Sequence, residues 1–155
     1  MYEAFYFRLI HLYEAQMNIN DTTHSYLLSM LQTLPMEKAT QVIEYRFANP
    51  SRHWLLPLHS CQAFKENEIW AIPAISSLIA LQTSILLVDD LLDNDGRRET
   101  LGLSVGETAN LSMVFQAIGI DCICKNFSTN EKQIEVIDKI NKMMLETAYG
   151  QYLDD

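Results

Sequence analysis

Apolar residues return every three or four positions along almost the whole chain, and no stretch alternates apolar and polar with a period of two, so the pattern is helical throughout. Phe5, Leu9, Leu12, Tyr13 and Met17 predict a first helix of about four turns. Asn20 or Asp21 can cap a second, which carries Tyr26, Leu27, Met30 and Leu31 and stops before Pro35. A third runs through Ala39, Val42, Ile43 and Phe47 to the break at Asn49-Pro50. A fourth covers about His53 to Lys65, with Pro57 near its first turn.

The fifth helix, from about Ile69 to Asp93, begins with twenty residues, Ile69 to Val88, that carry no charge. That length meets the threshold for a bilayer span. Pro73, Ser76, Ser77, Gln82, Thr83 and Ser84, and the direct run into Asp89-Asp90, fit the centre of a large helical bundle better. After the loop Asn94-Asp95-Gly96, Ser104-Val105-Gly106-Glu107 has capping-box spacing and opens a sixth helix through Phe115 and Ile118. Ser128-Thr129-Asn130-Glu131 repeats the signal for a seventh, with Ile134, Ile137, Ile140, Met144, Leu145 and Ala148 on an apolar face and Met143 packing with them. The expected fold is all-α, with residues 1–155 in one domain. A helix apolar on nearly every side needs more than six neighbours, and the seventh shows no stop signal. Both features predict the N-terminal portion of a larger domain, cut after its seventh helix.

Composition narrows the partners. With 20 Asp+Glu against 11 Lys+Arg and a net charge of -9 over 155 residues, the chain repels phosphate backbones, and no basic patch points to nucleic acid. Cys61, Cys122 and Cys124 lack metal-ligand spacing and read as reduced core thiols, and no secretory signal opens the chain, so a cytoplasmic location is expected. His11, His24 and His59 have no partner at ligand spacing.

Asp89, Asp90 and Asp93 change the picture. The i,i+4 spacing stacks Asp89 and Asp93 one turn apart, where they repel each other at the negative end of the helix dipole unless a counter-ion sits between them. Such a pair suits Mg²⁺, which keeps part of its water and shares itself with phosphate oxygens. Arg97 and Arg98 follow, and guanidinium forks bind phosphate bidentately. A solvated corner is the bland alternative, but the uncharged run ahead of the acids fits an apolar substrate cavity that ends in a metal site.

The stretch Leu81-Gln82-Thr83-Ser84-Ile85-Leu86-Leu87-Val88-Asp89-Asp90-Leu91-Leu92-Asp93-Asn94-Asp95-Gly96-Arg97-Arg98 resembles the first aspartate-rich motif of the trans-prenyl diphosphate synthases, the farnesyl and geranylgeranyl diphosphate synthase family. Thr147-Ala148-Tyr149-Gly150-Gln151-Tyr152-Leu153-Asp154 is similar to that family's T-x-x-G-Q-x-x-D. The resemblance implies a bundle of the isoprenoid synthase type and a homodimer. It also implies Mg²⁺-dependent condensation of an allylic diphosphate with isopentenyl diphosphate.

By the same resemblance Asp89 and Asp93 match the metal ligands, with Asp90 in support. Arg97 matches the grip on the allylic diphosphate and Arg98 a contact to isopentenyl diphosphate. Gln82 matches a further contact to isopentenyl diphosphate, and Gln151 the glutamine lining the reacting centre. Ser84 stands five residues before Asp89, where a bulky aromatic would floor the cavity; a small residue implies products of geranylgeranyl length or longer.

Departures are specific. Where G-K-x-x-R-P is expected the chain has Arg52-His53-Trp54-Leu55-Leu56-Pro57, with His53 and Leu56 in place of the basic residues and Arg52 a substitute one position out of register. The loop from Asp93 to Arg97 is one residue short, Glu99-Thr100-Leu101 replaces the usual glycine and proline surroundings, and a second aspartate-rich motif is expected beyond Asp155. These departures leave two alternatives. One is a relative on the same fold that ionises an allylic diphosphate without isopentenyl diphosphate. The other is a non-catalytic subunit, against which the intact aspartates argue.

Overall fold

The computed structural model describes residues 18–32, 36–93, 96–126 and 129–154, and all regular structure among them is helical. The helix expected from Phe5 to Met17 lies outside the described residues, as do His11, Pro35, Asn94, Asp95 and Ser128.

Helix α1 is helical over residues 18–31, so Asn20 and Asp21 lie inside it and do not cap it. The reason is the buried stripe Ile19, Thr23, Leu27 and Leu31, whose four-residue spacing runs unbroken past both polar residues. Helix α2 (Glu37–Ala48) buries Ala39, Val42 and Ile43 and ends at Asn49, as the sequence predicts. The helix expected from His53 instead starts as a 3-10 turn, Arg52–Leu55, and becomes α-helical as α3 (Leu56–Ala63). Leu56 N–H bonds the His53 carbonyl three residues back, and Pro57 has no N–H to make the α-type bond to it.

A second 3-10 turn, Glu68–Trp70, is capped by the Asn67 side chain and leads into α4 (Ala71–Leu92). By length and composition this helix could cross a bilayer, but 61% of its most apolar stretch is buried inside the protein, as in a core helix. It is covered by α3, by both 3-10 turns, by α5 (Gly96–Thr100) and, most extensively, by α6 (Val105–Cys124). Gly96, Arg97 and Arg98 are therefore helical, although the sequence reads Gly96 as loop.

Small residues let α4 and α6 approach closely. Ser77 donates its hydroxyl to the Gly119 carbonyl at 2.7 Å, and Ser112 donates to the Ser84 carbonyl at 3.1 Å. Both contacts recur after seven residues on each helix and run in opposite senses, so the pair is antiparallel. A Cβ on Gly119 would lie 2.7 Å from the Leu81 side chain, which makes glycine a packing requirement there. The capping box at Ser104 forms as expected: its hydroxyl accepts from Glu107 N–H, and Glu107 Oε2 accepts from Ser104 N–H at 2.8 Å.

The main core lies between α1, α2, α3, α4 and α6. Helix α7 (Asn130–Asp154) follows the far side. Gln133 near its start donates to the Cys124 carbonyl at 2.7 Å, and Gln151 near its end reaches Asp89. Its apolar face is not the packed core that the sequence predicts. Ile134 is 66% exposed, Leu145 72% and Met143 43%, because no described element covers that side. The cysteines are free as expected; Cys122 is buried, and burial with the nearby Asp121 charge pushes its thiol up to about 12.

Candidate functional site

The last turn of α4 sorts its three aspartates by direction. Asp89 is half-buried and Asp93 exposed, one turn apart on the same side of the helix. Asp90 lies about 100° around the axis. It is 1% exposed, and its carboxylate pairs with Arg97 Nη1 at 3.4 Å. That pairing is possible because α5 folds the chain back, bringing Arg97 and Arg98 half-buried beside the end of α4.

A second guanidinium stands next to this pair. Arg46, in the last turn of α2, lies with its Cζ 5.2 Å from the centre of the Trp54 ring. Burial, and then the neighbouring Arg97 charge, hold Arg46 below the ordinary arginine value, partly offset by Asp90. Trp54 is 1% exposed and donates its indole N–H to Gln82 Oε1 at 2.9 Å. Gln82 is thus joined to the Trp54 turn. Arg52 is exposed at the start of that turn.

On the other side of α4 a groove of about 510 Å³ opens between α4, α6 and α7. Gln151 stands at one end, where its amide donates to Asp89 Oδ1 at 3.4 Å. Ile85, Val88, Met144 and Ala148 make apolar walls. Ser84 and Ser112 also line it, their hydroxyls 3.2 Å apart and buried. Two residues marked from sequence, Gln151 and Ser84, therefore line one groove, and Asp89 touches it through Gln151, while the buried Asp90 and the half-buried Arg97 pair at the same end of α4. Sequence reasoning missed Arg46 and Trp54. Both lack a motif, and their only local signal is a basic residue in a helix's last turn and an aromatic in a short 3-10 turn.

No group of three or more Asp, Glu, His or Cys is arranged around a common metal position among the described residues. Asp89 and Asp93 nevertheless fit the open type of Mg²⁺ site, in which one or two carboxylates share the ion with water and phosphate oxygens. Asp90 is turned inward and does not join them. No protein family matches the chain, and neither a curated protein nor a solved structure does.

Proposed function

We propose that the chain is the N-terminal portion of a trans-prenyl diphosphate synthase, a cytoplasmic homodimer of the isoprenoid synthase fold that extends an allylic diphosphate with isopentenyl diphosphate. The observation that carries this reading is the apolar groove with the Asp89–Gln151 contact at one end and Ser84 and Ser112 within it. A molecule with an anionic head and an apolar tail fits that polarity. The exposed apolar residues of α7 support a larger domain or dimer that covers them.

In this reading Asp89 and Asp93 would hold Mg²⁺, which would supply positive charge to a departing diphosphate. Gln151 orients the Asp89 carboxylate. Arg97, steadied by Asp90, adds donors to the diphosphate oxygens as negative charge accumulates on them. Ile85, Val88 and Met144 keep water from the allylic carbocation. Arg98 completes the charge on the α5 side; the acceptor's double bond supplies the electron pair of the new carbon–carbon bond, and the resulting cation loses a proton to the released diphosphate, which restores a double bond.

One observation favours the reading without isopentenyl diphosphate: Gln82 gives its oxygen to Trp54, and Arg52 points into solvent. A product assay with Mg²⁺, geranyl diphosphate and labelled isopentenyl diphosphate on the complete protein separates the two. Label in a longer chain supports condensation; diphosphate release with unlabelled hydrocarbon or alcohol supports the second reading. Calorimetry tests the site itself. Asp89→Ala or Asp93→Ala should abolish Mg²⁺-dependent diphosphate binding and slow turnover by about 10²-fold or more. Unchanged affinity in both variants returns the aspartates to a solvated corner.

A further inference from the structure

Arg46 is a charged group that neither motif accounts for. Its guanidinium rests on the Trp54 ring, 5.2 Å from the centroid, and its Nε–H is buried with no hydrogen-bond partner among the described residues. The nearby carboxylate, Asp90, is engaged by Arg97. A half-buried guanidinium beside a second one is unfavourable, and burial and the Arg97 charge both work against its ionised form. The indole face offsets part of that cost but leaves the N–H donors unused. The platform is rigid, because Trp54 is fully buried and tied to Gln82 at 2.9 Å. Arg97 retains 27% exposure and Arg46 is only half-buried, so neither side chain is closed off from solvent.

We propose that Arg46, with Arg97 beside it and Trp54 beneath it, is a receptor for a phosphate-class anion on the Asp90 side of α4, and that this anion is a diphosphate. The Arg46 guanidinium offers forked donors to a tetrahedral oxyanion, and an arriving anion lowers the repulsion between Arg46 and Arg97. That the anion is a diphosphate rests on the function proposed above; that Arg46 receives an anion rests on the geometry alone.

The two tryptophans allow a direct test. Trp70→Phe leaves Trp54 as the single reporter, lying directly under Arg46. The intact protein, stripped of divalent metal, is titrated with inorganic diphosphate while Trp54 emission is followed. A saturable change is expected, weakened at least about tenfold by Arg46→Met, which keeps an apolar stem over the indole and removes the charge. Arg46→Lys, which keeps the charge without the fork, should weaken binding about threefold. Far-UV circular dichroism establishes that each variant is folded, and if the methionine variant is not, the lysine variant decides. No saturable response in the parent, or wild-type affinity in a folded variant, overturns the receptor and leaves Arg46 a structural brace. Because metal is absent, failure here is separate from failure of the Asp89/Asp93 site.

Discussion

Asp89 and Asp90 are chemically identical neighbours with opposite surroundings, and substitution should separate them. Asp90→Ala leaves Arg97 beside a vacated, fully buried position, and breaking a buried ion pair costs about 3–5 kcal/mol. Asp89→Ala removes a half-buried carboxylate whose described partner is one amide at 3.4 Å, so its stability should change by less than about 1 kcal/mol. Urea unfolding of the two variants checks this; equal stabilities would contradict the inward turn of Asp90. The spacing of Asp89 and Asp93 was legible in the sequence because helix periodicity alone stacks them. The assignment of Asp90 to the interior was not. It depends on Arg97 returning through α5 and on Arg46 and Trp54 arriving from earlier elements, and no local pattern encodes those meetings.

At the scale of elements, the strongest constraint lies between α4 and α6. Gly119→Ala drives a methyl group to 2.7 Å from Leu81 and 3.3 Å from the Ser77 carbonyl. It should destabilise by about 1–3 kcal/mol, read as a lower midpoint in thermal or urea unfolding. Seven residues along α4, Ser84 lines the groove, and Ser84→Phe should fill part of it. If the proposed chain elongation holds, the product distribution of the complete protein should shift to shorter chains; the same chain lengths from both proteins would remove Ser84 as a determinant. Helix positions were readable where a single signal dominates, as with the Ser104 capping box or the break at Asn49-Pro50. They were misread where two signals compete. Asn20-Asp21 resembles a cap, yet the Ile19–Thr23–Leu27–Leu31 stripe carries α1 through it. Around Pro57 the missing N–H makes the first turn 3-10, a detail that periodicity does not see.

For the whole molecule, the unequal cover of the two sides of the α4–α6 pair matters most. One side buries Ile43, Trp54, Leu58, Ile75 and Phe115 almost completely. The other carries α7, where Leu145, Tyr149, Tyr152 and Leu153 are all more than 60% exposed. The apolar face through Ile134 and Leu145 was legible, but its partner was not, since an amphipathic pattern specifies a face to be covered and says nothing of what covers it. An apolar strip of this kind exceeds the scattered single residues usual on a monomer and drives association. Residues 1–155 expressed alone should therefore sediment as a dimer or larger species and, if the proposed function holds, should not turn over an allylic diphosphate, because one open pair of carboxylates leaves much of the departing charge unneutralised. Leu145→Lys with Tyr152→Lys should weaken that association at least about tenfold, since like charges on an apolar interface cost several times the thermal energy. A parent chain that sediments as a monomer at micromolar concentration would mean that the strip is tolerated in water, and with it would go the support that α7 gives to a larger domain or dimer.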